Sequence, residues 1–109
     1  MTPEQARERL EAALQDLDAQ DQATESDRAP VELDQQSVGR LSRMDALQAQ
    51  AMAVANQQRR ATERRRIRGA LERIGAGEFG YCVGCGEEIP DARLELDPAI
   101  PNCVACAAR

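Results

Sequence analysis

The chain has 109 residues, a formal net charge of −5, no histidine, no tryptophan, one phenylalanine and one tyrosine. That length and aromatic content allow one small domain with a thin core, and no apolar run approaches the roughly eighteen residues of a membrane helix. An acidic chain is also a poor general binder of nucleic acid, because neutralising phosphates takes net positive charge on the binding face.

The charge is unevenly spread. Residues 1–34 hold ten acidic and three basic side chains, residues 40–73 nine arginines and three acids, and residues 77–109 six acids and two arginines. Only the middle block could meet a phosphate backbone, and such a block is more often a solvated helix face. Lysine is absent; that is a compositional bias from which no mechanism follows.

The first element begins at Thr2-Pro3-Glu4-Gln5. Thr2 is a cap, Pro3 suits the first helical position and Gln5 completes a capping box. Ala6, Leu10, Ala13, Leu14 and Leu17 then form one stripe at helical spacing, which predicts a helix from about Pro3 to about Ala23. It is too polar to stand alone and needs a partner. From Thr24 to Asp34 the periodicity stops, and Arg28-Ala29-Pro30 reads as a connection.

Asp34 caps a second, long helix, from about Gln35 to about Ala76. Gly75 and Gly77 bracket its end as C-cap candidates. Its apolar positions come in two pieces. Leu41, Met44, Leu47, Ala51 and Val54 have coiled-coil spacing; Ile67, Ala70, Leu71 and Ile74 form the second piece. Between them, Asn56 to Arg66 is almost wholly polar.

Folding the first helix back antiparallel places Leu17 near Leu41 and Ala6 near Ala51. The first helix then runs out near Val54, the polar middle is exposed on all sides, and the second apolar piece packs on the C-terminal module with Phe79 and Tyr81 as the wedge. The expected architecture is mainly α: an antiparallel coiled-coil helical hairpin over residues 1–76, with a small four-cysteine zinc-finger module at 77–109. A monomer is expected; pairing of the long helix with a second copy of itself is the alternative.

The last quarter carries the chemistry. Two Cys-x-x-Cys pairs, Cys82/Cys85 and Cys103/Cys106, are separated by seventeen residues, the spacing of a four-cysteine zinc site. Gly84 and Gly86 let the first knuckle turn back tightly, and Pro90, Pro98 and Pro101 stiffen the loop between the pairs. Two disulfides would need an oxidising compartment, and the chain shows no signal peptide. A thioredoxin-like pair would need a βαβ pattern, which is absent. With no histidine the ligand set is four cysteines, closed and structural, because a catalytic zinc keeps a position open for water. Cysteines used as metal pairs point to a bacterial-type cytoplasm.

Gly80-Tyr81-Cys82-x-x-Cys85-Gly86, Ile89-Pro90-x-x-Arg93-Leu94, Pro98 and Cys103-x-x-Cys106, together with the long helix entering them, resemble the zinc finger of the DksA/TraR family. The resemblance covers about a third of the chain. It implies a coiled-coil stalk projecting from a zinc-bearing end, which enters the secondary channel of bacterial RNA polymerase. An acidic tip then acts near the active site, often together with ppGpp, and the protein binds polymerase rather than specific DNA sequences. The family tip motif Asp-x-x-Asp-x-Ala is matched by Asp18, Asp21 and Ala23. Asp34 and Asp45, followed by Ala46, are a second candidate pair, eleven residues and three helical turns apart. The bland reading of Asp18 and Asp21 is acids that solvate a helix. The chain has little before its first helix and stops three residues after Cys106, so the extra helices of long family members are expected to be missing.

Three functions compete. The first is a transcription regulator that binds RNA polymerase. The second is a nucleic-acid-binding zinc ribbon using Arg59, Arg60, Arg64, Arg65, Arg66 and Arg68; an acidic finger without an aromatic platform for bases speaks against it. The third, an enzyme, ranks last, since the metal is closed and no nucleophile pairs with a base.

Overall fold

The computed structural model describes residues 1–29 and 40–109. Five helices lie among them: α1 (Pro3–Ala23), α2 (Glu25–Arg28), α3 (Arg40–Gly75), α4 (Asp91–Leu96) and α5 (Val104–Ala107). An isolated antiparallel bridge joins Tyr81 and Glu88. The molecule is long and thin, with extents of 63 × 29 × 20 Å.

The capping box fixes the start of α1. Gln5 N–H donates to Thr2 Oγ1 at 3.1 Å, and Thr2 N–H donates to Gln5 Oε1 at 2.9 Å, so donors with no partner inside the helix are satisfied locally. At the other end of the stalk, α3 stops on two bonds: Gly77 N–H to Ile74 O at 3.1 Å and Glu78 N–H to Arg73 O at 2.8 Å. This is a Schellman motif, with Gly77 at φ +75° in the left-handed conformation the motif demands.

The core sits at the base of the stalk. Ala6, Leu10, Ile67, Ala70, Ile74 and Ala99 are buried together, and Leu14, Leu17, Leu71 and Phe79 pack against them. A second cluster, Cys82, Ile89 and Leu94, lies inside the finger, and Phe79 belongs to its rim as well. Each fully buried Leu or Ile contributes about 1.5–3 kcal/mol, so these few residues hold α1 on α3.

The register differs from the one read in the sequence. Ala6 and Leu10 meet Ile67, Ala70 and Ile74, not Ala51 and Val54, and Asp21 near the end of α1 reaches Arg60. The sequence reading folds the first helix back at a connection from Thr24 to Asp34. In the structure the chain first continues along α3 through α2 and Ala29, where Gln50 Nε2 donates to Ala29 O at 2.8 Å. The two isoleucines and Leu71 also offer α1 more apolar area than Ala51 and Val54 do. The stretch of α3 from Arg40 to Arg60, about 30 Å at 1.5 Å per residue, therefore lies beyond the end of α1. Met44, Leu47 and Met52 on that stretch are 57%, 49% and 61% exposed.

Two further expectations need correction. The polar middle of α3 is not exposed on all sides, since α1 covers Arg60 and Arg64. Tyr81 is no wedge: it is 47% exposed, and Phe79 and Ala99 are the finger residues that reach the stalk core.

Candidate metal centre and stalk ion pairs

The finger brings its four cysteines together. The first knuckle follows the short antiparallel contact in which Ile89 N–H donates to Gly80 O at 2.7 Å and Cys82 N–H to Glu87 O at 2.8 Å. Gly86, at φ +77°, turns the chain where an L side chain would be strained. Gly84 serves differently: a Cβ there would stand 3.1 Å from Cys106 Sγ, so its lack of a side chain lets the second knuckle approach. Val83 N–H donates to Pro101 O at 2.9 Å and ties the two knuckles. Cys103 caps the short helix α5, which carries Cys106.

The sulfurs of Cys82, Cys85, Cys103 and Cys106 all lie within 4.8 Å of one another, and Cys85 Sγ is 3.7 Å from Cys103 Sγ. A tetrahedron with Zn–S bonds of about 2.3 Å has edges of about 3.8 Å. The four cysteines are thus placed to bind one metal ion, and the donor set suits zinc. Electrostatics agrees. The backbone N–H of Cys103 brings the Cys82 thiol down to about 6, and Gly84 N–H adds a bond to Cys82 Sγ at 3.3 Å. Hydrogen bonding to the Cys82 sulfur pushes the Cys106 thiol up to about 12. Four sulfurs this close do not all ionise by themselves; a divalent cation supplies the missing charge and takes all four as thiolates. Protein then fills every position, and none is left for a reacting water.

The finger is clamped to the stalk. Arg66 donates from Nη2 to Asp97 Oδ2 at 2.5 Å and from Nη1 to Glu63 Oε2 at 2.6 Å. Arg9 Nη1 donates to Glu95 O at 2.8 Å, and Arg73 Nη2 to Ala99 O at 3.3 Å. Burial lowers the Arg73 pKa, and the nearby Arg66 charge lowers it further.

The stalk carboxylates separate into two groups. Asp21 accepts from Arg60 Nε at 2.6 Å and from Arg64 Nη2 at 2.5 Å, and Asp18 accepts from Arg64 Nη2 at 3.0 Å. The Asp21 side chain is 22% exposed and that of Asp18 62%. Arg60, first, and then Arg64 hold the Asp21 carboxyl below its ordinary range. Both aspartates thus face the middle of α3 rather than a free end. Ala23 ends α1, exposed. Asp45 is exposed on the projecting part of α3, while Ala46 lines an open cleft of about 530 Å³ between α2 and α3, with Thr24, Ala29, Met52 and Arg60. Asp34 lies outside the described residues.

Among the arginines, Arg59 and Arg65 are exposed and bond within α3, to Asn56 Oδ1 and Thr62 Oγ1. Arg60, Arg64 and Arg66 are committed to carboxylates, which removes three of the cations a nucleic-acid ribbon would use. The sequence reading misses the ion pairs across the stalk, though a signal is present. Asp18 and Asp21 share a helix face at i,i+3, Arg60 and Arg64 share one at i,i+4, and their signs are opposite. Asp97 sits in the finger loop with no periodic pattern to betray its partner.

Comparison with known proteins agrees with this geometry. Residues 77–109 match the family described as the prokaryotic dksA/traR C4-type zinc finger. Over 56 residues, 51% of this chain and 39% of the other, the sequence is 34% identical to the RNA polymerase-binding transcription factor DksA of Haemophilus influenzae. Over 43 residues, 39% of this chain and 30% of the other, it is 49% identical to an uncharacterised protein of Aquifex aeolicus. The matched stretches thus span well under half of either relative. The structure of transcription factor DksA2 from Pseudomonas aeruginosa superposes with a TM-score of 0.76 at 22% identity, covering 98% of this chain and 81% of that one. The four-sulfur cage and its residue pattern make the C-terminal third of this chain a DksA/TraR C4-type zinc finger, carried on a helical stalk that shares the fold of DksA2.

Proposed function

We propose that this protein binds bacterial RNA polymerase in the cytoplasm, as a monomer, by inserting its stalk into the secondary channel, and modulates transcription initiation there. The observation that carries the reading is the build of the molecule: a zinc finger clamped at one end and a thin stalk whose long helix runs about 30 Å past the end of α1. The relative named as an RNA polymerase-binding transcription factor supports the partner. It is a binding role rather than an enzymatic one, since the thiolates fill the metal's coordination. Asp45 at the projecting end, together with Asp34, is the pair of carboxylates proposed to act on the polymerase. Asp18 and Asp21 are already satisfied by Arg60 and Arg64.

The test uses zinc-loaded protein and purified bacterial RNA polymerase. Analytical ultracentrifugation should show a monomer that forms a one-to-one complex. A photo-crosslinking residue in place of Asp45 should mark the polymerase interior, and one in place of Arg109 its outer surface. Transcription from a ribosomal RNA promoter should change on adding the protein; runs with and without ppGpp measure the nucleotide's share. A folded, zinc-loaded protein that forms no complex with polymerase overturns the reading.

A further inference from the structure

The apolar stripe of α1 does not by itself choose where α1 lies on α3. Ala6, Leu10, Ala13, Leu14 and Leu17 repeat at 3-4 spacing, and α3 offers two apolar stretches at similar spacing, Met44–Val54 and Ile67–Ile74. Shifted by three heptads, close to the register read from the sequence, the stripe would face Ala46, Ala49 and Ala53 in place of Ile67, Ala70 and Ile74 and still find small residues opposite it. The larger apolar area of Ile67, Leu71 and Ile74 favours the observed register, and a second feature discriminates further.

The charges do not repeat in that way. Asp18 and Asp21 are the carboxylates on that face of α1 that reach α3, and they meet Arg60 and Arg64. Arg64 bridges both aspartates, while Asp21 accepts from both arginines, so the two helices are matched at two points at once. The network continues past the end of α1: Arg60 Nη2 donates to Thr24 Oγ1 at 3.1 Å, Arg28 Nη1 donates to the same oxygen at 2.9 Å and to Asp21 O at 3.0 Å, and Thr24 Oγ1 donates to Gln20 O at 2.7 Å. A slip of three heptads would pull Asp21 about 30 Å along α3 and leave the half-buried Arg60 and Arg64 without their carboxylates.

We infer that Asp18, Asp21, Arg60 and Arg64 form a register lock: positioning residues that select where α1 ends on α3, and so where the chain leaves α1 for α2 and the projecting end. Polar groups in helix seams serve this purpose elsewhere, selecting one alignment rather than adding much stability. The lock does not depend on the polymerase reading. It assigns to Asp18 and Asp21 a duty inside the molecule in place of contact with a partner.

The test is methyl nuclear magnetic resonance on the zinc-loaded full chain, without polymerase. In the wild type, Leu10 methyls should show one set of contacts, to Ile67, Ala70 and Ile74. The double variant Asp18→Asn/Asp21→Asn keeps shape and removes charge. It should keep its helix content and gain a second set of contacts from slipped registers, at up to about 10% of the intensity, the usual range of a competing minor state. The charge swap Asp21→Arg/Arg60→Asp should restore the single set. A purely structural ion pair would lower the melting temperature without adding a second set. A single wild-type set in the double asparagine variant therefore overturns the lock. If that variant loses its helices, the swap decides: one native set supports the lock, and two sets or an unfolded chain sinks it.

Discussion

The two ends of α3 are the same helix in opposite circumstances. At its C-terminal end, Ile67, Ala70 and Ile74 are buried under Ala6, Leu10 and Ala99, and three arginines tie the finger down through Asp97, Glu95 O and Ala99 O. At its N-terminal end, Met44, Leu47 and Met52 stand about half exposed or more. Both ends carry a 3-4 apolar stripe. What separates them is where α1 stops, and that depends on a third region, the polar middle. The comparison teaches that an apolar stripe in a sequence marks a surface able to pack, while the partner's length and charges decide which stripe is used. Stability then gathers at the finger end, and the far end is free to meet something else.

The sharpest way to break this contrast is at the metal. Cys85→Ser removes one ligand, and structural zinc supplies about 10–16 kcal/mol of apparent binding energy in finger peptides at neutral pH. Native mass spectrometry should show loss of zinc, and amide signals of residues 77–109 should collapse toward random-coil positions. A finger that stays folded without metal would mean the protein core, not the ion, holds that end.

Next comes a matched pair of truncations. Leu10→Ala opens a cavity in the buried cluster and should cost about 2–5 kcal/mol. Leu47→Ala lies on the exposed stretch and should change stability by no more than about 0.5 kcal/mol. Urea denaturation followed by circular dichroism measures both. Equal losses would show that the projecting half of α3 is as well packed as the base.

A smaller effect is expected at the two knuckle glycines, for different reasons. Gly86→Ala places a side chain at φ +77° and should cost about 1–2 kcal/mol. Gly84→Ala instead crowds Cys106 Sγ at 3.1 Å. Competition with a chelator should show weaker zinc binding for both, while denaturation of the metal-free chains should distinguish them little.

The smallest expected effect is a pH dependence. The Asp21 carboxyl is held below its ordinary value, by Arg60 first and Arg64 second. A depressed carboxyl contributes stability above its unfolded pKa of 3.8, and that contribution is lost as pH falls through the lowered folded value. Wild type should therefore melt higher than Asp21→Asn at neutral pH, and the gap should close from about pH 4 downward. A gap that persists at acid pH would mean the asparagine acts through shape rather than charge.

Much of this is legible in the sequence where chemistry is local. The Thr2–Gln5 capping box, the Gly77 stop and the four-cysteine spacing each depend on a few neighbouring residues, and the structure bears out each. Gly84 and Gly86 read as one device in the sequence and are two, because close approach and positive φ look alike without coordinates. The register escapes the sequence because it depends on the path between α1 and α3, and no periodicity reports how a connection runs. Asp18 and Asp21 read as a free tip for the same reason: the position of a carboxylate relative to the end of a hairpin follows from the register. Their pairing with Arg60 and Arg64 is a long-range match of signs, visible only once the faces of both helices are aligned.

Phe79 has one ring and two neighbourhoods. It packs against the stalk cluster on one side and against Cys82, Ile89 and Leu94 on the other. A group shared between two cores cannot leave one without loosening the other, so the two melt as one cooperative unit rather than in sequence. Chelating the ion would then be felt at a distance: amide hydrogen exchange at Leu10, on a helix that touches no cysteine, should accelerate together with exchange at Cys82. Replacing the ring, as in Phe79→Ala, should weaken the coupling of those two rates, leaving Ala99 and the three arginine bonds as the remaining ties between finger and stalk.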